Sequence, residues 1–253
     1  MFYQPGITPH NLPRDPFKVK SPDPRSPHPH PAPPDAPEQA CVVPRPIGWI
    51  STRSPTGTAN LAPYSQFNNL TFDPPYVMFS GNQTAGGARK DTVVNAEATG
   101  EFVWNLATYP LRDAVNVTAE QTAYGVDEFA RAGLRKQRAT LVDVDMVAQS
   151  PVKFECRYHS TLRLPGNPPM GTVDIIIGRV VGIHVADGVL TEGLVDIAKT
   201  QPIARCGYYE YARVSETFEM VIPGDAKVLY GLEGSAARNA EERRGGKERG
   251  AKL

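Results

Sequence analysis

The run TVDIIIGRVVGIHV, residues 172–185, limits the choice of fold more than any other part of this chain. Val173, Ile175, Ile177, Val181, Ile183 and Val185 fall on one face of a strand, interrupted by Arg179. Asp174, Ile176, Gly178, Val180, Gly182 and His184 fall on the other. Two glycines four residues apart on one face suit a strand that bends around a barrel, or one whose backbone is closely approached.

Shorter apolar stretches recur between turn signals at Gly48 to Thr52, Tyr76 to Ser80, Phe102 to Leu106 and Val152 to Tyr158, each read as a strand. Helical patterns are fewer. One opens at RKDTVVN with Asp91 as the expected N-cap and Gly100 as the stop, a second lies in PLRDAVNVTAE, and a third, in VDEFARAGL, ends at Gly133. Strands that outnumber helices, without a βαβ rhythm, point to a mainly β barrel with peripheral helices.

Residues 1–40 form an arm whose segment SPDPRSPHPHPAPPDAP can neither make a helix nor bury much surface. Residues 232–253 are charged and nearly free of large apolar side chains, so a disordered tail is expected, leaving 41–231 as the folded domain.

Lys plus Arg and Asp plus Glu are both 27, so no net positive field exists to gather nucleic acid or an anionic membrane. No apolar run reaches a membrane-spanning length, and the first residues lack a secretory pattern, so a cytoplasmic protein is expected. The final Ala251-Lys252-Leu253 is similar to a peroxisomal address. Cys41, Cys156 and Cys206 are odd in number and widely spaced, which predicts reduced thiols and no metal site.

The signatures of a Rossmann nucleotide site, a P-loop, a zincin and a hydrolase elbow are all missing. His184 is a weak candidate for acid–base work, and a core histidine bonded to a carbonyl explains it equally well. In TAGGARKDTVVN, by contrast, Arg89 and Lys90 precede a helix start at Asp91 and Thr92, where free N–H groups and positive charge suit a phosphate. An ordinary solvated loop with an N-cap is the other reading. Ser51, Thr52, Asn60 and Ser65 offer donors and acceptors for the edge of a flat heteroaromatic ring. Trp49, Tyr208 and Tyr209 are candidates to wall that ring, with core packing as the alternative for Trp49. Phosphate and a polar-rimmed ring together describe flavin mononucleotide (FMN).

Six segments, PRPIGWIST, NLAPYSQFNN, FDPPYVMFSGN, RKDTVVN, GEFVWNLAT and PIARCGYYEYARV, occur in the order that resembles the flavin reductase-like, FMN-binding split-barrel family. The resemblance covers about residues 41 to 220. It implies a six-stranded antiparallel split barrel that forms a homodimer with one FMN per subunit. It also implies that Trp49 to Thr52, the segment from Asn60 through Ala62 to Ser65, and Lys90, Asp91 and Thr92 surround the flavin, with the stretch at Tyr208 and Tyr209 near its ring. About twenty Pro-rich residues between DPFK and CVVPRPIGW depart from the family pattern.

The activity implied is hydride transfer from NAD(P)H to flavin, with electrons passed onward to a small molecule or a monooxygenase partner. A flavin-binding electron carrier or non-catalytic module that NAD(P)H does not reduce is the competing expectation, because no dinucleotide fingerprint is present.

Overall fold

The structure is a computed structural model that describes residues 41–84, 86–166, 171–207, 209–220 and 222. The Pro-rich arm, Tyr208 and the charged tail with its C-terminal tripeptide lie outside the described residues. The chain divides into two units, Met1–Ser215 and Glu216–Leu253. All described helices and strands belong to the first.

Strands β1 (Arg45–Pro46), β2 (Gly48–Arg53), β3 (Ala59–Tyr64), β4 (Phe67–Phe72) and β5 (Pro75–Asn82) follow one another through short turns. Helix α1 (Asp91–Thr99) leads into β6 (Glu101–Leu106), and helices α2 (Arg112–Val117) and α3 (Glu128–Arg131) precede a hairpin of β7 (Lys136–Arg138) and β8 (Asp145–Val147). Then come the long strands β9 (Val152–Leu164) and β10 (Val173–Val185). A small hairpin of β11 (Leu190–Thr191) and β12 (Leu194–Val195), helix α4 (Ile197–Thr200), β13 (Ile203–Arg205) and β14 (Tyr211–Arg213) complete the unit.

Seven of these strands form one antiparallel sheet in the order β3-β2-β6-β9-β10-β5-β4. Its two edge strands, β3 and β4, are joined in sequence by Ser65 and Gln66 alone. A link of two residues can connect opposite edges only if the sheet curls until they approach each other. The Ser80 amide donates to the Gln66 carbonyl at 2.9 Å near that seam, while no ladder among the described residues pairs β3 with β4. The result is a barrel open along one seam.

The expected count of six strands is corrected to seven in this sheet. Within NLAPYSQFNN the chain breaks at Ser65-Gln66 between β3 and β4, and Phe67–Phe72 folds back against β5.

Of the two glycines expected on one face of the long strand, Gly178 faces the barrel interior, whereas Gly182, beyond a register shift, faces Leu141 and Glu155 on the opposite side. A Cβ on Gly178 would lie 2.3 Å from Cε1 and Cζ of the fully buried Phe102, so this glycine lets an aromatic ring rest on the backbone. The β9–β10 register shifts on either side, between Ile177 and Gly178 and between Val180 and Gly182. Asp174, Ile176, Gly178 and Val180 face the core, whereas Val173, Ile175 and Ile177 lie on the outer face and are partly exposed.

Three apolar clusters hold the layers together. Ile50, Phe67, Phe79, Phe102, Trp104 and Ile176 fill the barrel. Trp49, Leu61, Val115, Phe129 and Ile203 pack between the outer side of β2 and β3 and the helices. Val103, Val142, Val144 and Met146 sit beneath the β7 and β8 hairpin. Strand β2 is therefore buried on both sides, which is why its hydroxyl side chains are inaccessible. Cys156 is buried and Cys206 half-buried, whereas Cys41 is exposed.

Candidate cofactor-binding site

A cavity of about 350 Å³ opens beside the barrel seam. One wall is β3, with Asn60, Ala62, Pro63 and Tyr64; a second is the start of α1, with Lys90, Asp91 and Thr92. The third is the segment from Thr118 to Thr122, with Glu128 behind it.

Helix α1 begins without a side-chain cap. Lys90 is the N-cap with no side-chain cap bond, and its carbonyl accepts from the amides of Val93 and Val94, both at 3.0 Å. Asp91, expected as the cap, is instead the first helical residue, where its carboxylate suits the positive helix end. The preceding turn is ordered by Thr84, whose hydroxyl accepts from the Ala88 amide at 3.1 Å, and by Gly87 at φ 79°.

Lys90 is half-buried and makes no ion pair among the described residues. Burial pushes its ammonium below the ordinary lysine range, opposed by the neighbouring Asp91. Asp91 is pushed up by burial and held back by Lys90. A cation partly stripped of water beside an uncapped helix start is the chemistry that a phosphate satisfies.

Polar side chains lock these walls together. Asn60 Nδ2 donates to Thr52 Oγ1 at 3.0 Å and to Thr92 Oγ1 at 2.9 Å, tying β2, β3 and α1. Asn95 Nδ2 donates to Thr52 Oγ1 at 3.3 Å, and Asn95 Oδ1 accepts from the Tyr124 hydroxyl at 2.9 Å. Tyr64 is buried beneath the cavity, and that burial raises its hydroxyl well above the usual phenol value.

The structure brings Asn60, Ala62, Lys90, Asp91 and Thr92 together on this cavity, but not Trp49, Ser51, Thr52, Ser65, Arg89, Tyr209 or His184; Tyr208 lies outside the described residues. Trp49 is fully buried and donates from Nε1 to Thr118 Oγ1 at 2.9 Å, so it braces the cavity wall from behind. Ser51 and Thr52 are fully buried; Ser51 accepts from Asn105 Nδ2 at 3.1 Å. Ser65 sits in the turn at the seam, with its hydroxyl 3.5 Å from Gln66 Oε1. Tyr209 is exposed and lines no described cavity.

Arg89 is turned away. Its Nε donates to Asp174 at 2.7 Å and its two terminal nitrogens grip Glu97 at 2.7 Å each, so its donors serve α1 and β10. His184 lies elsewhere, bonded at 2.5 Å to Glu155. Burial pushes the Glu155 carboxyl up, yet His184 and the amides of Thr140, Leu141 and Val142 hold it below the usual range.

Sequence reasoning missed Glu128 and the segment Thr118 to Thr122. Glu128 accepts from the Leu61 amide at 3.0 Å and from the Thr122 hydroxyl at 2.8 Å, joining β3 to that segment. The only local signal is Asp127, which caps α3 through the amides of Phe129 and Ala130 and so fixes the next side chain inward.

The family profile of the flavin reductase like domain matches residues 40–203. An uncharacterized protein of Halalkalibacterium halodurans is 34% identical over 182 residues, 72% of this chain and 87% of that protein. The crystal structure of nitrilotriacetate monooxygenase component B from Bacillus cereus is 32% identical with a TM-score of 0.66, covering 71% of this chain and 88% of that one. An FMN-binding domain of a flavin reductases-like enzyme from Shewanella baltica shares the fold at 17% identity and a TM-score of 0.55, over 69% and 88% of the two chains. The chain belongs to the flavin reductase-like, FMN-binding split-barrel family.

Proposed function

We propose that the cavity holds FMN and that the protein is a flavin reductase-type oxidoreductase using NAD(P)H. The observation that carries this reading is Lys90, half-buried and without an ion pair among the described residues, at the uncapped start of α1 on the cavity wall. Lys90 and the first amides of α1 hold the phosphate, with Thr92 oriented by Asn60. Asn60, Ala62 and Tyr64 of β3 and the segment Thr118 to Thr122 flank the remainder of the cofactor. When bound, FMN supplies the capacity to accept hydride and pass electrons onward. The protein residues bind and orient; no side-chain base is required of them, which fits the engagement of His184 by Glu155 away from this cavity.

The likeness to a monooxygenase component B supports a monooxygenase as the electron acceptor. An absorbance spectrum of the purified, FMN-loaded chain under anaerobic conditions tests the reading. Flavin bands that bleach on adding NADH or NADPH are expected. Bands that persist until dithionite is added would instead make the protein a carrier of the flavin.

A homodimer is part of the same proposal. Leu162 lies opposite Ile175, Leu164 opposite Val173, and Met78 opposite Ile177, so these side chains share one outer, apolar face of β5, β9 and β10. Leu162 is 54% exposed, and such a face fits a second copy of the same surface. Sedimentation should give twice the chain mass, and Leu162→Lys should give a monomer that keeps its secondary structure; a monomeric wild type would end this reading.

A further inference from the structure

Below α2, and sharing no lining residue with the flavin cavity, lies a second cavity of about 290 Å³. Its floor is apolar, with Val115 and Ile203 buried and Ala212 beside them. Its rim carries Tyr109, Tyr211, Arg112 and Arg213.

Both cations on this rim rest on one aromatic ring. The Arg112 guanidinium carbon lies 4.4 Å from the centre of the Tyr109 ring, and that of Arg213 lies 4.7 Å from the same ring. Arg112 spends one terminal nitrogen on the Tyr109 carbonyl at 3.0 Å, and Asp113 stands 3.7 Å from the other. Arg213 makes no ion pair among the described residues. A guanidinium resting on an aromatic ring keeps its N–H edge free and loses little further freedom when it pairs with a planar anion. Asp113 offsets one of the two arginines among the lining residues, and the Arg205 guanidinium lies 4.7 Å from the centre of the Tyr211 ring, so the rim is net positive and suits a small anion. A volume at the lower end of the roughly 300–1,000 Å³ usual for ligand sites suits a single ring.

We propose that this cavity is a binding site for a small aromatic carboxylate of the benzoate type. The carboxylate pairs with Arg213 and Arg112, and the ring lies over Val115 and Ile203 against Tyr211. The site does not depend on FMN, so its failure and that of the flavin reading are separable.

Titration calorimetry of the full-length, FMN-saturated chain with benzoate tests this. We expect saturable one-site binding, much weaker binding of the neutral benzyl alcohol, and a loss of about tenfold or more in benzoate affinity in both Arg112→Gln and Arg213→Gln. Both side chains are exposed, so the variants should keep the wild-type Tm and FMN affinity. The proposal fails if benzoate does not saturate, if benzyl alcohol binds equally well, or if the arginine variants bind benzoate unchanged. It also fails if benzoate binds only when FMN is removed, which would put it in the flavin cavity. If the variants shift the sedimentation coefficient while no form binds benzoate, the cavity is a contact between copies and the proposal is likewise overturned.

Discussion

Lys90→Ala should lower FMN affinity about tenfold to a hundredfold while leaving riboflavin affinity nearly unchanged. The estimate follows from the worth of a hydrogen bond to a charged group, roughly 1.5–3 kcal/mol. Riboflavin lacks the phosphate, so the comparison separates loss of one charge partner from a distorted cavity. The pH dependence has a definite sign. Burial holds the Lys90 ammonium below the ordinary lysine value of about 10.4, so the free protein sheds this charge earlier as pH rises. FMN affinity should therefore fall on the alkaline side before an exposed lysine would titrate, with riboflavin affinity flat. Flavin fluorescence quenching measures both. Equal losses for FMN and riboflavin would show that Lys90 shapes the cavity without holding phosphate.

Asp174→Ala should produce the largest loss of stability. The Asp174 side chain is 3% exposed and accepts from Arg89 Nε at 2.7 Å and Arg163 Nε at 2.6 Å. Its removal leaves two guanidiniums without their buried acceptor. Breaking a fully buried pair costs about 3–5 kcal/mol, and because both arginines keep partial contact with water we expect about 2–3 kcal/mol. Burial alone would raise the Asp174 pKa, but Arg163 and Arg89 hold it below the usual aspartate value. This contribution is thus complete above about pH 4 and disappears as pH falls through the lowered value. Thermal melts between pH 2 and 7 should show a shallower acid limb in the variant. Because Arg89 adjoins Lys90, FMN affinity should fall as well. A variant with the wild-type Tm at pH 7 would remove this cluster as the anchor of α1.

Several elements were legible because their signals are local. Gly100 stops α1 in the left-handed conformation, and the apolar runs at 48–52, 76–80 and 102–106 all lie in strands. Which side of a strand meets the cavity is not local information. Trp49, Ser51 and Thr52 carry the residue types that a flavin rim needs, but β2 is the second strand of the sheet and is covered on its outer side by α2 and α3. Their polar groups consequently bond to Thr118, Asn105, Asn60 and Asn95. Arg89 and Lys90 are indistinguishable as neighbours in a motif; only the fold shows that Glu97 of α1 and the distant Asp174 of β10 claim the first and leave the second. Glu128 escaped notice for the converse reason, since an acid in the first turn of a helix ordinarily points to water.

The bond from the Leu61 amide to Glu128 reaches beyond the cavity. Strand β3 is an edge of the sheet, and edge amides are where a foreign strand can add and seed aggregation. A carboxylate that occupies the Leu61 amide fills one of those positions with a group no incoming strand can imitate. The same contact that closes the back of the site therefore also leaves one hydrogen-bonding position fewer on this edge for a foreign strand.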